Sequence, residues 1–191
     1  YNRAIEYIEA MPKRSPNVDQ AYQKATMLKG IELFNKDDYS TAVQFFEKSL
    51  KYPIDPEYVA EASFWCGEAY SIGRKYEQAV DNYLRIIGLS GLNNIELLVK
   101  TRYGLGYAYY NLQQYDRALF NFKEFVNKAS RTQSNLADGI LRLADCYYVS
   151  KIYPEALINY RKVVQYKSAD QDYAHLQSGA ILGIMRKYEE A

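Results

Sequence analysis

The sequence predicts an all-α protein in which one helix-turn-helix unit repeats along the chain. A pattern of a small residue, an apolar or aromatic residue, a tyrosine, an alanine and an aromatic residue recurs with constant internal spacing. Its copies are Gly30-Leu33-Tyr39-Ala42-Phe46, Gly67-Tyr70-Tyr76-Ala79-Tyr83, Gly106-Tyr109-Tyr115-Ala118-Phe122 and Ala144-Tyr147-Tyr153-Ala156-Tyr160. Such an array grows linearly without a single central core, so we expect a solenoid of antiparallel helix pairs.

The chain opens on an incomplete repeat, residues 1–16. Tyr1, Ala4 and Ile8 have the spacing of the second helix in the full copies, so a second helix is predicted there without its first helix. Two prolines and a serine in residues 12–17 predict a connector.

Four full repeats are predicted at 20–54, 59–91, 95–130 and 136–168. In the first, Pro53 and Pro56 should end the second helix. In the second, Gly73 lies at the turn, where glycine can adopt the positive φ of a helix C-cap. In the fourth, Pro154 suits the start of a second helix.

Residues 173–191 predict a fifth first helix with Gly179, Leu182 and Tyr188, followed by Ala191 as the next alanine of the series. We therefore expect the array to continue in both directions. Within each repeat the small residue should let two helices approach closely and face the alanine twelve residues later. Tyrosines should fill the remaining volume, because the ring can be buried while the hydroxyl reaches water.

The pattern resembles the tetratricopeptide repeat, whose basic period is about 34 residues. The resemblance covers nearly the whole chain, although the bulky aromatic usual early in the first helix is absent and most copies are longer. It implies a right-handed superhelix whose first helices line a concave, peptide-binding side. Longer repeats of this kind are similar to those of bacterial envelope proteins, so we expect the periplasm rather than the cytoplasm.

Aromatic and charged residues on the predicted concave side are the candidate peptide-binding site. They are Phe64, Trp65, Glu68, Tyr103, Tyr107, Tyr110, Arg142, Asp145 and Tyr148. Aromatic rings with a few fixed charges are typical of binding hot spots. Alternatively, some rings pack against the next repeat, and the three charged residues either orient a basic or amide-bearing ligand or pair with one another.

The family's carboxylate clamp, made of lysine and asparagine, is absent. The corresponding positions hold Met27, Ile31, Phe64, Glu68, Tyr103 and Tyr107.

The composition argues against several other functions. The 191 residues include 24 basic and 23 acidic side chains, a net charge of +1, which does not favour nucleic-acid binding. Apolar runs are too short for a membrane-spanning helix. Cys66 and Cys146 lack metal-ligand spacing and should be buried thiols. His175, the sole histidine, belongs to no catalytic motif, so we expect no enzyme activity, cofactor or metal.

We therefore expect a non-catalytic scaffold that binds a protein or peptide partner in an aromatic groove. Two alternatives stay open. One is a structural spacer within a longer solenoid, and the other is an accessory domain of a larger enzyme or envelope-assembly protein. Self-association through the open solenoid ends is a further expectation.

Overall fold

The computed structural model describes residues 1–166 and 169–185. Over this part of the chain the protein forms ten α-helices and no β-strand, which confirms the predicted all-α class. The helices are α1 (Asn2–Glu9), α2 (Pro16–Phe34), α3 (Tyr39–Leu50), α4 (Pro56–Ile72), α5 (Tyr76–Ile87), α6 (Ile95–Asn111), α7 (Tyr115–Lys128), α8 (Leu136–Val149), α9 (Tyr153–Gln165) and α10 (Gln171–Ile184). The chain divides into two compact units, Tyr1–Ala108 and Tyr109–Ala191.

Helices joined by a tight turn pack against each other in both units. α2 packs with α3 and α4 with α5 in the first unit, and α8 packs with α9 in the second. Within the units, second helices also pack on the next first helix, as α3 does on α4, α7 on α8 and α9 on α10. The helices α3, α4, α8 and α9 are therefore held from both sides, as expected for a stacked repeat.

Two first helices begin at prolines, earlier than the sequence predicts. α2 begins at Pro16, where the Ser15 side chain accepts a hydrogen bond of 3.4 Å from the helix backbone. α4 begins at Pro56, and Asp55 Oδ1 accepts from the Glu57 N–H at 3.0 Å. The expectation that Pro56 ends the preceding helix is therefore wrong, because proline lacks only an N–H that the first turn does not use.

All four turns share one backbone geometry. The second residue before each second helix adopts a left-handed conformation: Asp37 (φ 61°), Arg74 (φ 56°), Gln113 (φ 59°) and Lys151 (φ 60°). The next N–H then reaches the carbonyl five residues back, as from Lys75 to Tyr70 at 2.8 Å. The expectation for Gly73 is wrong, since its φ is −74° and Arg74 carries the positive angle.

Glycines in the first unit lie against aromatic rings of the second helices. A Cβ at Gly30 would lie 2.5 Å from the ring of Phe46, and one at Gly67 would lie 2.7 Å from the ring of Tyr83. A Cβ at Gly104, on the next first helix, would lie 2.6 Å from the same tyrosine ring. We expected each glycine to face the alanine twelve residues later, but the space above the glycine is occupied by a ring.

The second unit uses the same kind of contact at a different position. A Cβ at Gly139 on α8 would lie 2.3 Å from the fully buried ring of Phe125 on α7. Tyr160 and Val163 of α9 and Ile181 of α10 are also fully buried. The ring of a second helix therefore decides how closely the next first helix can approach.

The alanines of the repeat pattern lie at these interfaces. Ala42, Ala79, Ala118 and Ala156 have no exposed surface, whereas Ala4 on α1 is exposed. The predicted positions Tyr188 and Ala191 lie outside the described residues. Among the described residues, no helix has both the length and the apolar character needed to cross a bilayer.

Glycine at a left-handed turn residue should stabilise the protein. We expect Lys151→Gly to raise the free energy of unfolding by about 0.5–1 kcal/mol, because a side chain at positive φ costs about 1–2 kcal/mol and glycine's added chain entropy offsets part of that gain. Urea denaturation measures the change.

The matched control is Ser150→Gly, one residue earlier at φ −75°. It should lower stability, since glycine there brings only the entropy cost. Equal effects of the two substitutions would contradict the explanation.

Candidate binding surface

The nine predicted site residues all lie on first helices. Phe64, Trp65 and Glu68 lie on α4, Tyr103, Tyr107 and Tyr110 on α6, and Arg142, Asp145 and Tyr148 on α8. The first five belong to the first unit and the last four to the second. Their exposure differs widely, from a buried aspartate to half-buried rings, so they cannot all serve as ligand contacts.

Trp65 is a half-buried ring held by its neighbours. Its ring meets Phe34 of α2 at a centroid distance of 5.0 Å and Phe64 at 5.6 Å, both edge to face. The indole N–H donates to Glu61 Oε2 at 3.2 Å. Phe64 is 91% buried and lies 6.3 Å from Tyr83. Phe64 therefore supports the scaffold, while Trp65 keeps part of its surface exposed.

The carboxylate of Glu68 is hydrogen-bonded to another residue of the first unit. Its Oε1 accepts a hydrogen bond of 2.5 Å from the hydroxyl of Tyr83, whose ring is fully buried. Burial raises the pKa of Glu68, and the tyrosine bond partly offsets that rise. The carboxylate therefore stabilises the α4–α5 pair and has less capacity to attract a ligand.

Tyr103 and Tyr107 form an aromatic pair one turn apart on α6. Their centroids are 5.0 Å apart and their planes meet at 66°. Both rings are half-buried. An edge-to-face pair of this kind restricts the motion of both rings, which reduces the entropy lost when a partner binds.

Asp145 joins three helices of the second unit. Its Oδ1 accepts from the hydroxyls of Tyr160 on α9 at 2.7 Å and Tyr173 on α10 at 3.1 Å. Its Oδ2 accepts from Arg142 Nη1 at 2.9 Å, and Arg142 also approaches Asp138 at 3.5 Å. Burial raises the pKa of Asp145 despite these partners. The charges of Arg142 and Asp145 are thus paired with each other.

Tyr110 and Tyr148 pack on the turn tyrosines of their own repeats. Tyr110 meets Tyr115 at 5.5 Å, and Tyr148 meets Tyr153 at 5.9 Å, both edge to face. Burial, together with the nearby Asp145 carboxylate, raises the pKa of Tyr110 to about 12. Both rings are half-buried.

The same aromatic contact recurs in the first repeat, where Phe34 meets Tyr39 at 5.0 Å. Tyr110 therefore occupies a repeat position equivalent to those of Phe34 and Tyr148.

The repeat pattern of the sequence analysis did not include a pair of residues that are fifteen positions apart, one on each helix of a repeat. In each repeat, the residue directly after the small glycine or alanine pairs with the residue fifteen positions later. When the first of the two is acidic, as at Glu68 and Asp145, the second is a tyrosine. When the first is not acidic, the second is a phenylalanine. The four pairs are Ile31 and Phe46, Glu68 and Tyr83, Tyr107 and Phe122, and Asp145 and Tyr160. Comparing the copies position by position would have revealed this rule.

The remaining reactive groups are two buried cysteines and a histidine. Burial raises the pKa of Cys66 and Cys146 to about 12, so both thiols stay protonated near neutral pH. His175 is exposed on α10. Among the described residues, no three side chains of the kinds that bind metal ions lie together.

Solved structures share this helix arrangement. The crystal structure described as "YrrB: a TPR protein with an unusual peptide-binding site" superimposes with a TM-score of 0.70 at 20% identity, over 88% of this chain and 85% of that chain. A family model of the tetratricopeptide repeat matches residues 100–131. One repeat of the chain thus matches the tetratricopeptide repeat in sequence, and the fold over most of the chain is that of a solved TPR protein. The crystal structure of MamA gives a TM-score of 0.72 at 19% identity, over 88% of this chain and 85% of its own.

One relative in sequence is a longer protein. Human DnaJ homolog subfamily C member 7 is 27% identical over 160 residues, which cover 78% of this chain. The chain spans only 31% of the length of that protein.

Breaking the pair of Glu68 and Tyr83 should reveal their coupling. We expect Tyr83→Phe to lower the free energy of unfolding by about 1–2 kcal/mol, because it leaves a half-buried carboxylate without its donor. Adding Glu68→Ile, which recreates the pair of the first repeat, should recover at least half of that loss. A double-mutant cycle by urea denaturation measures the coupling.

Tyr76→Phe is the control, since its hydroxyl has no hydrogen bond among the described residues and its removal should cost little. Additive effects of the Glu68 and Tyr83 substitutions would rule out the coupling.

Asp145 should make stability depend on pH. Its folded pKa is raised, so its contribution is fully present below the unfolded pKa of about 4 and is lost as the pH rises through the folded pKa. Asp145→Asn should therefore flatten the profile of unfolding free energy from pH 4 upward. Asp138→Asn on the same helix is the control, and a profile for Asp145→Asn parallel to that of the wild type would contradict the assignment.

Proposed function

We propose that this chain is a non-catalytic interaction scaffold that binds a peptide or helix of a partner protein on its first helices. The observation that carries the proposal is the series of half-exposed, ordered aromatic rings on α4, α6 and α8. The repeat family supports it, and so does the description of YrrB, a protein of the same fold, as having a peptide-binding site.

In the first unit, the proposed contacts are Trp65, Tyr103 and Tyr107. Each ring packs on at least one other ring and is half-buried. Large aromatic side chains that are already ordered gain contact area on binding while losing little conformational freedom. Phe64 and Glu68 would act by supporting these rings and α5 rather than by contact with the ligand.

In the second unit, the proposed contacts are Tyr110, Tyr148 and Arg142. The turn tyrosines hold the two rings, and Asp138 and Asp145 orient the guanidinium. Asp145 itself is 97% buried, so we assign it a supporting role.

A role as an accessory domain of a longer protein is the second candidate. It is favoured by the match to a relative more than three times as long as the aligned segment. If this role holds, the binding surface would bring a partner to a domain elsewhere in the same chain. Deleting the repeats from the full-length protein should then abolish partner delivery while leaving the other domain folded.

Peptides selected from a displayed random library against the purified chain should depend on the aromatic contacts of the first unit. We expect Trp65→Ala combined with Tyr107→Ala to weaken their binding at least tenfold, because central aromatic anchors contribute about 2 kcal/mol or more. Isothermal calorimetry gives the affinity, and circular dichroism checks that helicity is retained.

Tyr7→Ala serves as the control, because this tyrosine is 69% exposed on α1, a second helix. Its removal should leave binding unchanged. Equal binding of the selected peptides to the double variant and to the wild type would contradict the proposal for this surface.

A further inference from the structure

We infer that the site on α4 recognises a basic side chain of the partner, an arginine or a lysine, through the ring of Trp65 and the carboxylate of Glu61. This inference rests on the proposed peptide-binding function and specifies the chemistry of the peptide. It concerns the first unit alone.

The charge of α4 favours a basic partner. The helix carries Glu57, Glu61 and Glu68 and contains no lysine or arginine. Tyr83 holds Glu68, and burial raises the pKa of that carboxylate. Among the described residues, the hydrogen bond of Glu61 is the one from the indole N–H, and both Glu61 and Trp65 are half-buried. Glu61 therefore places a carboxylate at the edge of the Trp65 ring.

The indole of Trp65 is well suited to a cation. Tryptophan gives the strongest cation–π attraction among the aromatic side chains. A carboxylate bound to the indole N–H adds negative charge at the ring edge, and the contacts with Phe34 and Phe64 fix the ring. A ligand guanidinium could stack on the exposed surface of the indole while donating hydrogen bonds to Glu61.

Lysines on the neighbouring first helices have other partners. Lys24 of α2 lies 5.6 Å above the ring of Tyr58, and Lys29 pairs with Glu32 at 3.2 Å. Lys100 of α6 pairs with Glu96 at 2.6 Å. These lysines thus have partners near their own helices, and no ion pair among the described residues includes Glu61.

The guanidinium of Arg14, in the first unit, is itself held by aromatic rings and a carboxylate. Arg14 lies over the ring of Tyr22 at 4.9 Å and over the ring of Tyr52 at 4.7 Å. Its Nε approaches Asp19 Oδ1 at 3.3 Å. Aromatic rings with one carboxylate at the side hold an arginine there, and Trp65 with Glu61 offers a similar set to an external arginine.

Fluorescence of Trp65, the only tryptophan, gives a direct test on the intact chain. The probes are three hexapeptides in which glycine alternates with arginine, with the uncharged isostere citrulline, or with glutamate. The arginine peptide should saturate the fluorescence change at a concentration about tenfold lower than the citrulline peptide, as expected for one partly desolvated cation–π and carboxylate contact. The glutamate peptide should bind more weakly than either.

Glu61→Gln removes the charge and retains an oxygen that can accept the indole N–H. It should bring the affinity for the arginine peptide close to that for the citrulline peptide. Glu6→Gln on α1, an exposed acid outside the proposed site, should change nothing. Equal binding of the arginine and citrulline peptides, no saturable change with the arginine peptide, or no effect of Glu61→Gln would each overturn the inference.

The two proposals fail in different ways. Library-selected peptides could require Trp65 and Tyr107 but tolerate replacement of their basic residues. This result would support the binding function and contradict the preference for a basic side chain. Selected peptides that do not require the aromatic contacts would remove the binding function itself.

Discussion

The fit of an aromatic ring on a second helix against a glycine on a first helix is the contact on which the remaining structure depends. Phe46 and Tyr83 fill space that a Cβ at Gly30 or Gly67 would occupy, at separations no real side chain tolerates. The ring sets the distance between the two helices of a pair. That distance in turn positions the first helix, and the first helix α4 bears Trp65.

A hydroxyl on that ring adds a second constraint in two of the repeats. Tyr83 and Tyr160 each reach a carboxylate on their own first helix, at 2.5 and 2.7 Å. A buried carboxylate is costly unless it is hydrogen-bonded, so each acidic residue accompanies a tyrosine and each non-acidic one a phenylalanine. Glu68 and Asp145 therefore belong to the scaffold more than to the binding surface, and Glu61 becomes the carboxylate available beside Trp65.

Periodic residues predicted the helix pairs well because each repeat position meets the same neighbours in every copy. Helix starts and turn angles were predicted less well. The sequence predicts that Pro56 ends a helix, whereas it begins α4. It also predicts a positive φ at Gly73, whereas Arg74 adopts the left-handed conformation. A proline or glycine marks the vicinity of a boundary, but its exact role depends on which backbone groups the turn leaves without partners.

The candidate site was likewise predicted in part by the sequence. The sequence by itself determined the helical class, the register of the repeats and the set of aromatic and charged residues on the first helices, because side-chain period and small-residue spacing are local properties of the chain. Only the tertiary structure decided which of these residues stay accessible. Tyr83, Tyr160 and Tyr173 come from other helices to bind Glu68 and Asp145, and such partners depend on how helices pack rather than on where residues stand in one helix.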